Sequence, residues 1–189
     1  MRQTAQLLAG IALLAGCDGE PIATEATPQI RSVVAAASQT SSAAENKDLA
    51  TLRRVTASFQ QFENANAAGW SARITPCMSG PDGGMGFHYG NVALIDGSVR
   101  VDEPELLLYE PEANGRLRLV AVEYIVPYTA WSRSATPPVL FGQDFKHNDT
   151  FGIWALHAWV WKENPSGLFA DWNPLVTCEH TSAVSTMVH

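Results

Sequence analysis

Two imidazoles and one carboxylate are the side chains here best suited to chemistry: His88 in GGMGFHYGN, Glu123 in RLRLVAVEYIV and His157 in FGIWALHAWVW. Imidazole nitrogen combined with carboxylate oxygen is a donor set for a first-row divalent transition metal that keeps open coordination positions. No short motif such as His-x-x-x-His accompanies them, so each ligand would have to come from a separate strand. Strand parity is the available guide, because residues two apart share a face. Leu117, Leu119, Ala121, Glu123 and Ile125 have one parity, which predicts an inward face carrying Glu123. A carboxylate so placed is costly unless paired, hydrogen-bonded or metal-bound. His157 shares parity with Trp159 and Trp161, while Trp154, Leu156, Ala158 and Val160 take the other, so both faces read as buried. His88 lies with Gly86 and Gly90, opposite Met85, Phe87 and Tyr89. Glycines beside a histidine leave room for a ligand or another chain to approach.

The same residues admit readings without a metal. Histidine and glutamate can satisfy one another, or loop amides, inside a mixed core. The aromatics Tyr89, Tyr124, Trp159 and Trp161 offer an apolar body with one polar handle, which suits a pocket for a sugar, a lipid or a flat cofactor. A non-covalent haem could use His88 or His157 as axial ligand, whereas covalent haem is excluded because there is no Cys-x-x-Cys-His motif. Ser79 and Ser134 lack a Gly-x-Ser-x-Gly elbow, and the glycines of GPDGGMG do not open a helix after a strand. A serine hydrolase and a phosphate loop are therefore unsupported. His147 falls in a loop and His180 and His189 in the tail, where solvated surface residues are expected, and Asp144, Asp149 and Asp171 sit where Asp commonly caps turns.

The elements that position these groups follow a leader. MRQTAQLLAGIALLAGC has Arg2, an apolar run from Leu7 to Leu14 too short to span a bilayer, and the small residues Leu14-Ala15-Gly16-Cys17. The tetrad resembles a bacterial lipobox, which implies cleavage after residue 16 and lipid on Cys17. Asp18 resembles the inner-membrane retention signal of enteric bacteria and leaves the choice of membrane open elsewhere. Residues 17–46, rich in Ala, Ser, Thr and Glu, read as a lipidated cysteine and flexible tether, with Ile30 to Ala37 at most a short helix. A single domain is expected over 47–180, with a disordered tail over 181–189. The expected place is the bacterial cell envelope, anchored to the membrane with the domain in the periplasm. Cys77 and Cys178 remain, and in an oxidising compartment an even pair reads as one disulfide. Closing a loop of about 100 residues contributes about 4.7 kcal/mol in the chain-entropy treatment.

Leu49, Leu52, Val55, Phe59 and Phe62 recur at helical spacing, predicting an amphipathic helix from Asp48 to Gly69 that packs on a sheet. Strands are expected at Gly86–Tyr89, Glu105–Glu110, Arg116–Val126 and Phe151–Trp161, with turns at Pro111–Gly115 and Asn164–Gly167. One helix followed by antiparallel strands is an α+β arrangement. The 189 residues carry a net charge of −7 with no basic cluster, which excludes nucleic acid as a partner.

GMGFHYGN, PELLLYEP, RLRLVAVEYIVP, HAWVWKENPSGLFADWNP and VTC, in this order between Leu49 and Cys178, resemble a family of uncharacterised exported bacterial proteins. The resemblance implies a secreted domain containing the paired cysteines and supplies no activity. Three functions stay open: binding of a small ligand or metal in a sheet-lined pocket, a metal-dependent enzyme using His88, Glu123 and His157 with Tyr89 or Tyr124 as proton donor, or an envelope protein that docks a partner.

Overall fold

A computed structural model describes residues 28–185, with side chains over residues 42–184. The expected leader, Cys17 and residues 18–27 lie outside the described residues, as do residues 186–189. The chain divides into two units, Met1–Ala36 and Ala37–His189. In the first, the described residues are helical and belong to α1 (Pro28–Thr56), so helix occupies part of the span expected as a tether.

In the second unit α1 ends at Thr56, whose hydroxyl donates to the Leu52 carbonyl at 2.7 Å. A 3-10 turn over Ala57–Gln60 and the short α2 (Phe62–Ala67) follow. The helix expected from Asp48 to Gly69 is therefore interrupted: Asp48 lies within α1 instead of capping it, and the backbone is extended at Gln61, with φ −98° and ψ 115°. Aromatic packing accompanies the break, as Phe59 meets Trp70 at 4.9 Å between ring centroids and Phe62 meets Tyr89 at 4.4 Å. Leu49 and Leu52 are buried in the same core, while Arg53, Arg54, Gln60, Gln61 and Glu63 are exposed. Gly69, at φ 111°, comes just after the helical segment as expected.

Nine strands come next: β1 (Ala72–Arg73), β2 (Met78–Gly80), β3 (Gly83–Gly90), β4 (Leu106–Pro111), β5 (Leu117–Pro127), β6 (Val139–Leu140), β7 (Gln143–Asp144), β8 (Lys146–Asn148) and β9 (Ile153–Ala158). Among the described residues seven of them form one antiparallel sheet in the order β1-β3-β4-β5-β9-β8, with β2 also on β3, while β6 and β7 pair separately. The architecture is α+β with a mainly antiparallel sheet. Cys77 and Cys178 form a disulfide, their Cα atoms 5.8 Å apart and 101 positions apart in sequence. Beyond it, α3 (Thr181–Ser185) buries Val184, so the segment expected as a disordered tail begins with a docked helical turn. Among the described residues no helix is long and apolar enough to cross a membrane.

Both faces of the sheet are covered. Phe87, Tyr89, Leu107, Tyr109, Tyr124, Trp154 and Leu156 join one core, while Leu106, Leu108, Ala121, Ile125, Ala155 and Trp159 join another. The central strands obey alternation except at two places. Along β3, Met78 of β2 pairs with Gly86 but Ser79 pairs with Gly84, so Met85 is an extra residue and packs on the face of His88, not opposite it with Phe87 and Tyr89 as expected. The second place is in β5. Leu108 pairs with Ala121 but Tyr109 pairs with Leu119, which leaves Val120 as an extra residue in β5. This bulge reverses parity, so Leu117 and Leu119 pack with Val122 and Tyr124 and not on the face of Ala121, Glu123 and Ile125. The apolar neighbourhood expected around Glu123 is correct only from Ala121 onward.

Candidate metal centre

Glu123 lies mid-strand in β5, its backbone opposite His157 of β9 and Leu106 of β4. His88 of β3 pairs with Leu108 of β4, so its side chain must reach across β4 to approach Glu123. The three side chains nevertheless meet. His88 Nε2 is 3.4 Å from Glu123 Oε2, and His157 Nε2 is 3.7 Å from Glu123 Oε1. One donor atom from each of the three lies within 4.8 Å of the others. All three are 4–5% exposed, which puts the cluster in a nearly dry environment where an unpaired polar group is costly.

Local structure explains the convergence. The glycines flanking His88 serve close packing by the protein itself. A Cβ on Gly86, whose φ is +84°, would lie 2.3 Å from the Tyr109 carbonyl oxygen. On Gly90 it would lie 2.9 Å from Ile74 Cγ1 and 3.0 Å from Leu106 Cδ2. Of the two occupants expected beside these glycines, a ligand or a chain, the space is filled by the neighbouring chain segments. Thr75, in the loop after β1, places Oγ1 2.9 Å from His88 Nδ1. A hydrogen bond to the Gly86 backbone also holds the ring, and in the tautomer protonated on Nδ1 the Nε2 lone pair faces Glu123, the arrangement found where an oriented imidazole serves as a ligand. Trp159 stacks on His157 with ring planes 11° apart. Asp171 Oδ1 stands 4.0 Å from His157 Nδ1, beyond hydrogen-bond reach, and accepts from Lys146 Nζ at 2.7 Å. Among the described residues neither ring nitrogen of His157 has a hydrogen-bond partner.

Electrostatics agree with that poverty of partners. Burial, with the positive form of His157 nearby, pushes His88 down to about 3. Burial and Lys146 push His157 down to about 3. Burial, reinforced by Asp171 and Glu105, lifts Glu123 to about 8. The separations are those of ion pairs, yet burial favours the neutral forms of all three groups at pH 7. Two neutral imidazoles and a carboxyl that is costly to ionise are what a divalent cation would convert into a charged, coordinated set. Glu105 is a second buried carboxyl, lifted to about 8 by burial, and it accepts from the Ile125 amide at 3.1 Å.

The cluster lines a cavity of about 670 Å³, within the range of small-molecule sites. Met78, Met85, Ile95, Leu106, Ile125 and Trp172 also line it. The aromatic residues expected to line a pocket with the histidines divide differently. Tyr89 and Tyr124 belong to the core on the opposite face, and the Tyr124 hydroxyl donates to the Val101 carbonyl at 2.7 Å. Neither tyrosine is placed to give a proton at this cluster. Trp161 also crosses over: β9 ends at Ala158, alternation persists through Trp159 and Val160, and then Trp161 joins Val160 on the opposite core, its indole donating to Thr56 Oγ1 at 3.0 Å. Trp159 stays on the face of His157, with its indole donating to the Ala170 carbonyl at 2.7 Å. His147 is exposed, as expected, but lies in β8 opposite Trp154 and not in a loop, and it touches the Tyr128 hydroxyl at 3.1 Å.

Sequence reasoning missed Thr75 and the part played by Asp171. Both reach the cluster from loops, and neither carries a local signal beyond its own residue type. Trp172 was legible only as one of several aromatics. No known protein family matches the chain, and no curated protein or solved structure matches it.

Proposed function

We propose that this chain is an exported lipoprotein, anchored through Cys17 in the bacterial cell envelope, whose domain binds a divalent first-row transition metal through His88, Glu123 and His157. The observation that carries the reading is the convergence of the three donors within 4.8 Å, each from a different strand of one sheet. Unpartnered nitrogens on a 5% exposed histidine support it, since burial of such atoms is costly without a ligand. A two-His-one-carboxylate set leaves coordination positions open. Elemental analysis of protein purified without chelator tests the reading: about one metal per chain is expected, falling in His88→Ala and Glu123→Gln. Metal-free protein that also refuses zinc, iron, copper and manganese on reconstitution would refute it. The anchor has its own test, because Cys17→Ser should release the protein from membranes.

The adjoining cavity favours a second reading, a metal-dependent enzyme. In it His88, Glu123 and His157 would hold an ion that would supply Lewis acidity, and the cavity walls would orient a substrate and exclude water. Turnover of a bound compound, as opposed to its retention, separates enzyme from binder.

A further inference from the structure

We propose that the cavity above the three donors takes a small molecule with an apolar body and one monoanionic oxygen head, of the chemical class of a medium-chain carboxylate. The proposal rests on the metal reading above and adds the ligand. Polarity in this cavity is segregated. Its floor holds His88, Glu123 and His157, and its walls include Met78, Met85, Ile95, Leu106, Ile125 and Trp172. Of the other polar residues that line it, Thr75 is buried against His88 Nδ1, Asn148 is half-buried, and Thr129 and Thr150 are exposed, as is Phe151 at 54%. Walls of this kind offer no array of donors and acceptors to a sugar or a nucleotide, whose hydroxyls would lose water without replacement. Two methionines among them provide adaptable, polarizable surface for a flexible chain.

Charge selects the head group. Among the described residues no lysine or arginine lines the cavity, and Glu123 is the one acidic side chain that does. A divalent cation held by one carboxylate and two neutral imidazoles leaves a net single positive charge at the floor. A monoanion neutralises it, whereas a dianionic phosphate would bury an uncompensated negative charge. A neutral head would leave the positive charge unbalanced in a dry site. The metal is therefore the anchor for the head, and the walls hold the body.

Calorimetric titration of the full-length protein tests this in two stages. Zinc is first titrated into chelator-stripped protein. Octanoate, acetate and 1-octanol are then each titrated into zinc-loaded and stripped protein. The loaded protein should bind octanoate at least tenfold more tightly than acetate, because each buried methylene strengthens binding by a few-fold. It should also prefer octanoate to octanol at least tenfold, and stripping should abolish that second preference. Phe151→Ser, at a 54% exposed position lining the cavity, should weaken octanoate several-fold and leave zinc affinity unchanged. Zinc binding without either preference overturns the ligand class and leaves the metal reading standing. Absence of binding by zinc, and by iron, copper and manganese titrated in its place, overturns both, and a preference for octanoate over octanol that survives stripping overturns the metal as the anchor.

Discussion

The two faces of the sheet differ in how fully they satisfy their polar atoms. On one face Tyr109, Tyr124, Trp154 and Trp161 each have their hydroxyl or indole group satisfied, by Phe59 O, Val101 O, Trp131 O and Thr56 Oγ1 respectively. On the other face, His157 has no hydrogen-bond partner among the described residues and Glu123 meets only imidazoles at 3.4 and 3.7 Å. These four aromatics are thus held by internal hydrogen bonds. On the second face Trp159 Nε1 and His88 Nδ1 also have partners, Ala170 O and Thr75 Oγ1, and the unmet need is confined to Glu123 and His157. Buried polar groups in that state support the proposed metal site.

This contrast can be broken by experiment, starting with the donors themselves. Glu123→Gln and His157→Ala should each lower metal affinity by more than the 10–100-fold that accompanies loss of a group merely orienting a ligand. Circular dichroism should show the fold retained. Comparable metal affinity in either variant would erase the distinction between the faces.

Next in size is the effect of pH on metal binding. Glu123, lifted to about 8, is protonated at neutral pH, while both imidazoles, lowered to about 3, are already neutral. One proton thus competes with the metal, and affinity should rise about tenfold per pH unit up to about pH 8, with about one proton released per ion. A slope of two or three would mean that the histidines are protonated too. The metal-free protein should show a linked trend in stability. The carboxyls of Glu123 and Glu105 rise from 4.5 to about 8 on folding, so the folded state holds protons that the unfolded state has released. Stability is lost as pH climbs through that window. The two histidines, lowered from 6.5 to about 3, act in the opposite direction and favour folding as pH rises to 6.5. Above 6.5 only the loss remains, so the melting temperature of stripped protein should fall between pH 6.5 and 8, and Glu123→Gln should reduce the fall.

A smaller effect is expected of Thr75→Val, which removes the group at 2.9 Å from His88 Nδ1 and should cost about tenfold in metal affinity. Smallest is the control on the opposite face. Tyr124→Phe removes the bond to Val101 O and should destabilise the fold by about 1 kcal/mol in chemical denaturation, with metal affinity unchanged. A change in metal binding there would mean that the faces are coupled.

Parity reached the right cluster through an argument that was only partly right. Glu123 and His157 lie in regular stretches, Ala121–Ile125 and Ile153–Ala158, where a period of two holds and the two residues fall opposite one another. It failed at Met85, beside the irregular β2–β3 register, at Leu117 and Leu119, across the Val120 bulge, and at Trp161, beyond the end of β9. Bulges and strand ends are set by pairing with a neighbouring strand, which a one-dimensional pattern does not contain. The same limit applies to the helix expected to run unbroken to Gly69, where the break at Ala57–Gln61 accompanies packing of Phe59 and Phe62 against aromatics distant in sequence.

Residue types and their spacing by themselves determined the α+β class, the pairing of Cys77 with Cys178 and the side chains most able to carry chemistry, because hydrophobic periodicity and cysteine number are local or countable properties. Tertiary structure alone decided that His88, Glu123 and His157 meet at 3.4–3.7 Å, that Thr75 orients one imidazole and that the tyrosines face away. Those outcomes depend on register across β3, β4, β5 and β9 and on loops folded over one face, and a distance between strands is a property of the sheet that no single strand encodes.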